Sequence, residues 1–434
     1  MILDPVDVVR ALLAGPWRSA LMERRLAAAA GWLRPTPAVV SLVAELVDRW
    51  PDPPTPQELL AAVAAHREVA GPVLHPEPLP PPPPPRVRRG RLVEVQPPLR
   101  SIEDLLRLLW LDAGELDWFA DRQQRNPRSG SDQLQHYRYR LVGPPGRPRL
   151  LEIPKARLKE IQRRLSEEVV AALPLHDAAH GAVPGRSVAT CLAPHAAAGV
   201  VVRCDLESFF VSITDVRVAG QLRLIGLPPR VASTVAGLAT AAVPPSVRSG
   251  LPRPEVDTTG AHWRWLRRLA TPHLPQGSPS SPALANAIGY SLDVRLSALA
   301  AHHGAVYTRY VDDLIFSGPP ELAVGRLLDG VRAIVRDEDF TLNAAKTRVR
   351  RRGHRQAVLG AVVNVRPRLS RVERDGLKAV VHNCRVHGPA SQLRGRDPES
   401  FRGWLAGRVG WAAQLDPDGT ARLRAEFEAI DWSR

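Results

Sequence analysis

Apolar residues recur at three-to-four spacing in four proline-separated stretches, Val6–Leu13, Ser19–Leu33, Ala38–Trp50 and Pro56–Val69. That spacing predicts four amphipathic helices. The pattern then stops. Pro72, Pro76, Pro78 and the run Pro80–Pro85 admit only extended polyproline II. Residues 71–99 therefore read as a linker, and residues 1–70 as a helical N-terminal extension. Beyond it the pattern is denser. Ser101-Ile-Glu-Asp104 is a capping box that opens a helix over Leu105–Leu111. Gln135–Arg140 and Leu150–Pro154 predict two strands about the turn Val142-Gly-Pro-Pro-Gly146, and 155–173 an amphipathic helix carrying Lys155, Arg157, Lys159, Arg163 and Arg164. A hairpin beside a basic helix suits phosphate groups.

Two later stretches carry the chemistry. Val200–Asp205 is a β-branched strand ending in a carboxylate, and it runs into the aromatic pair Phe209-Phe210. Tyr307–Phe316 is a second strand-like run, broken in its middle by Asp312-Asp313. Adjacent carboxylates inside an apolar strand are costly unless a positive charge meets them. A hairpin with Asp312 and Asp313 at its turn, beside Asp205, would form an all-oxygen site suited to Mg²⁺. Two such ions would activate an attacking hydroxyl and neutralise a leaving phosphate.

Charge changes the picture next. Lys and Arg number 59 against 44 Asp and Glu, a net charge of +15 in 434 residues, which makes a polyanion the first partner to consider. Lys346–Arg355 concentrates it in Lys346, Arg348, Arg350, Arg351, Arg352, His354 and Arg355. With Arg366, Arg368, Arg371 and Arg374, these would make a basic wall for a nucleic-acid duplex. Cys191, Cys204 and Cys384 form no C-x-x-C pair, so no disulfide framework or cysteine zinc site is expected. No apolar run reaches the length of a membrane span, and a soluble, cytoplasmic protein is expected.

The motifs fall in a family's order. Ile153-Pro-Lys155, Val183-Pro-Gly-Arg-Ser187, Asp205-Leu-Glu-Ser-Phe-Phe210, Pro275-Gln-Gly277, Tyr310-Val-Asp-Asp313, Asn343-Ala-Ala-Lys346 and Val358-Leu-Gly360 together resemble the fingers and palm of reverse transcriptases. Ser281-Pro-Ala-Leu-Ala-Asn286, Tyr307-Thr-Arg-Tyr310 and Phe316-Ser-Gly318 resemble the bacterial retron type in particular. The chain departs from that type in Cys191-Leu-Ala-Pro-His195, which keeps only the histidine of its motif, in Val358-Leu-Gly360, and in Val311. The resemblance implies an α+β right-hand polymerase: fingers and an antiparallel palm over 100–365, and a helical thumb over 366–434.

It also implies roles. Asp205, Asp312 and Asp313, with the Leu206 carbonyl, would hold two Mg²⁺ ions, Mn²⁺ being an alternative. Lys346 would protonate the leaving pyrophosphate. Phe210 would exclude the ribose 2′-hydroxyl, while Phe209, on the opposite face of an extended chain, would join the core. Gln276 and Gly277 would contact the incoming dNTP, and Lys155, Lys159 and Arg186 its triphosphate. Arg348, Arg350, Arg351, Arg352, Arg355 and Gly360 would line the nucleic acid. The implied partners are a structured noncoding RNA serving as template and primer, its DNA product, dNTPs and an effector protein in antiphage defence. Two other readings stay open: another defence or group II-like reverse transcriptase, and a non-catalytic nucleic-acid-binding scaffold of the same fold.

Overall fold

The computed structural model describes residues 5–15, 17–29, 35, 37–65, 99–143, 148–252 and 260–433. The expected linker therefore lies outside the described residues except at Leu99, which is buried in the fold. Helices α1 (Pro5–Leu13), α2 (Ser19–Ala29), α3 (Pro37–Arg49) and α4 (Pro56–Ala65) occupy the four periodic stretches. The tails expected over 30–33 and 66–69 lie outside the described residues. Leu12, Met22, Leu26, Leu42, Val43, Leu46, Leu59 and Val63 form their shared core. Thr55 and Glu58 cap α4 reciprocally, each side-chain oxygen accepting the other's backbone N–H. Residues 102–116, with α5 (Ile102–Leu109), belong to this same compact unit, and a second unit comprises 96–101, of which 99–101 are described, and the chain from residue 117 onward.

The helix α6 (Ala113–Ala120) leads to the strands β1 (Tyr137–Val142) and β2 (Arg149–Pro154), an antiparallel hairpin. The helix after it, α7 (Ala156–Glu168), is shorter than expected: Val169 caps its C-terminal end and 170–172 continue as a 3₁₀ turn. A short helix α8 (Val188–Leu192) precedes β3 (Val200–Asp205). Helices α9 (Asp215–Leu224), α10 (Pro229–Ala239), α11 (Pro245–Ser249), α12 (Ala261–Leu269), α13 (Ser281–Ile288) and α14 (Tyr290–His302) follow. Then come the hairpin β4 (Val306–Tyr310) and β5 (Asp313–Gly318), helix α15 (Val324–Asp337) and strand β6 (Arg348–Arg351).

The central sheet has the order β4-β5-β3-β6 and is antiparallel throughout. Val200, Val201 and Val202 alternate between the two faces of β3 and are all buried, so the sheet is covered on both faces there. The chain then makes a small hairpin, β7 (Ala357–Val358) with β8 (Ala361–Val362), and ends in α16 (Arg371–His387), α17 (Pro398–Leu415) and α18 (Pro417–Glu428). Val201 and Ile315 of the sheet share one core with Leu377, Val381, Leu405 and Leu423 of these last helices. Trp411 and Trp432 pack against that core. Among the described residues, no helix is long and apolar enough to cross a membrane.

Candidate active site

Strand register assembles the carboxylates. Asp205, the last residue of β3, stands directly opposite Asp313, the first of β5, and Asp313 also pairs with Tyr310 across the β4–β5 hairpin. Val311 and Asp312 make the turn. Its geometry is fixed from the side, because the Leu206 N–H donates to the Asp312 carbonyl at 2.9 Å and the Asn343 N–H donates to the Asp205 carbonyl at 2.8 Å. Val311 sits at φ +56°, the left-handed region. For an L residue that conformation costs about 1–2 kcal/mol, and a β-branched side chain makes it a genuine outlier.

Sequence reasoning demanded positive charge for these acids, and the chain supplies two cations itself. Arg203 donates in a fork to Asp313, Nε to Oδ1 at 2.7 Å and Nη2 to Oδ2 at 2.9 Å. Lys346 donates to both oxygens of Asp205, at 2.8 and 2.9 Å. Asp312 has neither cation as a direct partner. Burial, and then the charges of Asp205 and Asp313, push its carboxyl up to about 6. Burial also raises Asp313, against the pull of Arg203. Among the described residues, no three His, Cys, Asp or Glu side chains are gathered in a metal-holding cluster. The expected ligands share one corner, but two of them are engaged by internal ion pairs.

Arg203 was missed in the sequence, although its signal is simple. It lies two positions before Asp205 on a strand, so both side chains leave the same face. Two other partners were missed as well. Glu207, just past the corner, is held by Arg264 and Arg268 of α12 at 3.1 and 3.7 Å. His273, fully buried and pushed up chiefly by the neighbouring Glu152 against its burial, hydrogen-bonds that residue at 3.0 Å.

The residues expected around the nucleotide divide. Phe209 is buried against Phe340, with ring centroids 5.3 Å apart, whereas Phe210 is half-buried. The two diverge at a turn into a 3₁₀ segment rather than by strand alternation, since β3 ends at Asp205. The Gln276 carbonyl accepts from the Glu152 N–H at 2.8 Å, which stitches its loop to β2. Gly277 has φ +133°, and a Cβ there would lie 2.8 Å from the Glu152 carbonyl, so the loop requires glycine. Lys155 spends its ammonium on the carbonyls of Asp132 and Gln133. Lys159 lies one turn further along α7, half-buried. Arg186 donates to the carbonyls of His176, Asp177 and Ala179 and pairs with the Asp177 carboxylate. Lys155 and Arg186 thus brace loops as they stand.

The basic stretch forms the sheet edge. Arg348, Arg350 and Arg351 belong to β6, and all three are exposed, as are Arg352 and Arg355. Among the described residues none of these five has a carboxylate partner within ion-pair distance. Leu359 and Gly360, at φ +49° and +79°, form the two-residue turn between β7 and β8, which accounts for the glycine by backbone geometry.

Comparison with known proteins gives the family. Residues 140–363 match the family model "Reverse transcriptase (RNA-dependent DNA polymerase)". The chain is 37% identical over 335 residues to the retron Mx65 reverse transcriptase of Myxococcus xanthus, covering 75% of this chain and 71% of that one. It is likewise 37% identical over 366 residues to the retron Mx162 reverse transcriptase of the same organism, covering 80% and 69%. To the retron Ec86 reverse transcriptase of Escherichia coli it is 27% identical over 276 residues, covering 62% and 75%. With a palm sheet that brings Asp205, Asp312 and Asp313 to one corner, the chain belongs to the retron-type reverse transcriptases, RNA-directed DNA polymerases.

Proposed function

We propose that this polymerase copies a structured noncoding RNA, primed from a hydroxyl of that RNA, into a branched RNA–DNA product that serves antiphage defence in the cytoplasm with a separate effector protein. The observation that carries the chemistry is the Asp205–Asp313 register with Asp312 at the turn between β4 and β5. Its donors are all oxygen, a set that suits Mg²⁺ with Mn²⁺ as an alternative. Asp205, Asp312, Asp313 and the Leu206 carbonyl would hold two such ions, which when bound supply activation of the primer hydroxyl and charge neutralisation at the phosphate.

The chain's own groups do the rest. Lys346, held against Asp205, would give its proton to departing pyrophosphate. Phe210, half-buried five positions after Asp205, would meet the sugar and exclude a 2′-hydroxyl in this reading. Gln276 and Gly277 approach from the loop stitched to β2. Lys155, Lys159 and Arg186 face the triphosphate in this reading, Lys155 and Arg186 by exchanging carbonyls for phosphate oxygens. The exposed arginines of β6 and of the segment after it, with the turn at Gly360, receive the duplex.

The retron reading is tested by expressing the chain with its flanking noncoding RNA gene and isolating the DNA made. The expected product carries covalently attached RNA, and a 2′,5′-debranching enzyme releases it. DNA with no RNA attached would instead assign the chain to another class of reverse transcriptase.

A further inference from the structure

Beneath the Asp312 turn lies a charged group that the polymerisation chemistry does not use. Arg309, on β4, is fully buried, and so is its partner Asp293 on α14. The guanidinium donates to Asp293 through Nε at 2.8 Å and Nη2 at 2.6 Å. Its remaining nitrogen, Nη1, donates to the Asn286 side chain of α13 at 2.9 Å and to the backbone carbonyl of Val311 at 3.0 Å. That last acceptor is the strained residue of the turn. An ion pair buried this deeply is seldom a net gain over apolar packing. Its retention therefore calls for a geometric reason.

The surroundings supply one. Asn286 donates through Nδ2 to the Gly181 carbonyl at 2.8 Å, and a Cβ on Gly181 would lie 2.6 Å from the Val311 side chain and 2.8 Å from its nitrogen. A Cβ on Gly289 would crowd the Arg309 guanidinium at 2.9 Å. The segment before Gly181 runs along β4, with the Arg309 N–H donating to the Ala178 carbonyl and the His180 N–H donating to the Arg309 carbonyl. The turn is thus pinned from two sides. Arg309 holds the Val311 carbonyl, and Leu206 holds the Asp312 carbonyl. A left-handed β-branched residue persists only where its surroundings over-determine it.

We propose that Arg309, clamped by Asp293 and Asn286, is a positioning residue that holds Val311 in its left-handed conformation and thereby aims the Asp312 carboxylate at the reacting phosphate. The inference rests on the reading that Asp312 acts in catalysis, and the test separates the two. Asn286→Ala removes one arm of the clamp without uncovering the buried pair. It should lower kcat for dNTP incorporation about tenfold to a hundredfold, as displacement by a fraction of an ångström does, with little change in the dNTP KM. Adding Val311→Gly, which favours positive φ, should restore most of that kcat. A merely structural role for the clamp would lower the melting temperature and give no such rescue.

Arg309→Lys should show the same kcat loss and the same rescue if it folds. If it does not fold, Asn286→Ala decides alone. Folded Asn286→Ala with parental kcat, or with a loss that Val311→Gly does not restore, overturns the inference. Asp312→Asn is the control. If it still polymerises, the reading of Asp312 fails; if it is inactive while Asn286→Ala is fully active, only the positioning role fails.

Discussion

Two charged regions share one sheet and treat their charge in opposite ways. On β3, Arg203 stands in register opposite Arg348 of the edge strand β6. Like charges so placed repel. Arg203 is drawn away by the fork to Asp313, and Lys346 covers Asp205, so the corner holds charge in fixed geometry. Arg348, Arg350, Arg351 and Arg352 keep theirs exposed, in a row that also blunts a free sheet edge. The lesson is that charge paired inside the fold can orient a reaction, whereas charge left unpaired at its edge is available to a polyanion. The first is short-ranged and sensitive to ångströms; the second is cumulative and sensitive to salt.

The contrast between corner and edge is greatest at Lys346. Lys346→Ala leaves every arginine of the edge in place and should lower the rate of incorporation at saturating dNTP by about a hundredfold or more, as loss of a positioned acid does. Single-turnover kinetics on a generic primer–template would show it, and a rate within about twofold of the parent would leave Lys346 as a counter-charge only. A smaller effect is expected from Phe210→Ala, which touches neither set of charges. It should raise the use of rNTP relative to dNTP by about tenfold to a hundredfold, with the dNTP rate less affected. A constant ratio would make Phe210 another core aromatic, like Phe209.

The smallest effect concerns stability. A carboxyl raised to about 6 in the fold, against its ordinary 3.8, costs stability above pH 6. The cost fades as pH falls through about 6 and vanishes below the unfolded value. Because Asp312 is only half-buried, the full shift is discounted to about 1 kcal/mol. Asp312→Asn should therefore melt roughly 2–4 °C above the parent at pH 8 in the presence of chelator, and the gain should shrink towards pH 4. A gain that grows on acidification would contradict the assigned environment.

The corner was legible because its elements are local and its penalty is plain. Asp205 ends a β-branched strand, and Asp312-Asp313 interrupts another, so both strands and the hairpin could be read from residues alone. The four N-terminal helices were legible from periodicity for the same reason. Strand β6 was not. Arg-Val-Arg-Arg has no alternation of buried and exposed positions, and all four residues are exposed. The Arg309 clamp was hidden too, for a different reason. Asn286 and Asp293 are 23 and 16 residues away from Arg309, and only the packing of α13 and α14 under β4 brings them to it. Phe209 and Phe210 were separated correctly in burial on a mistaken ground, since a turn and not a pleat divides them.

The division of labour between the two regions is tested most directly by measuring, on the same preparations, single-turnover dNTP incorporation and the salt dependence of RNA affinity for two variants. Asp312→Asn should lose incorporation by about a thousandfold or more while its RNA affinity and salt slope match the parent. The triple variant Arg350→Ala, Arg351→Ala, Arg352→Ala should bind every RNA sequence more weakly, with a salt slope flatter by about 2–3, yet incorporate at close to the parental rate once saturated with primer–template. If Asp312→Asn loses RNA affinity as well, or the triple variant loses rate at saturation while its salt slope is unchanged, the paired corner and the unpaired edge do not divide chemistry from binding.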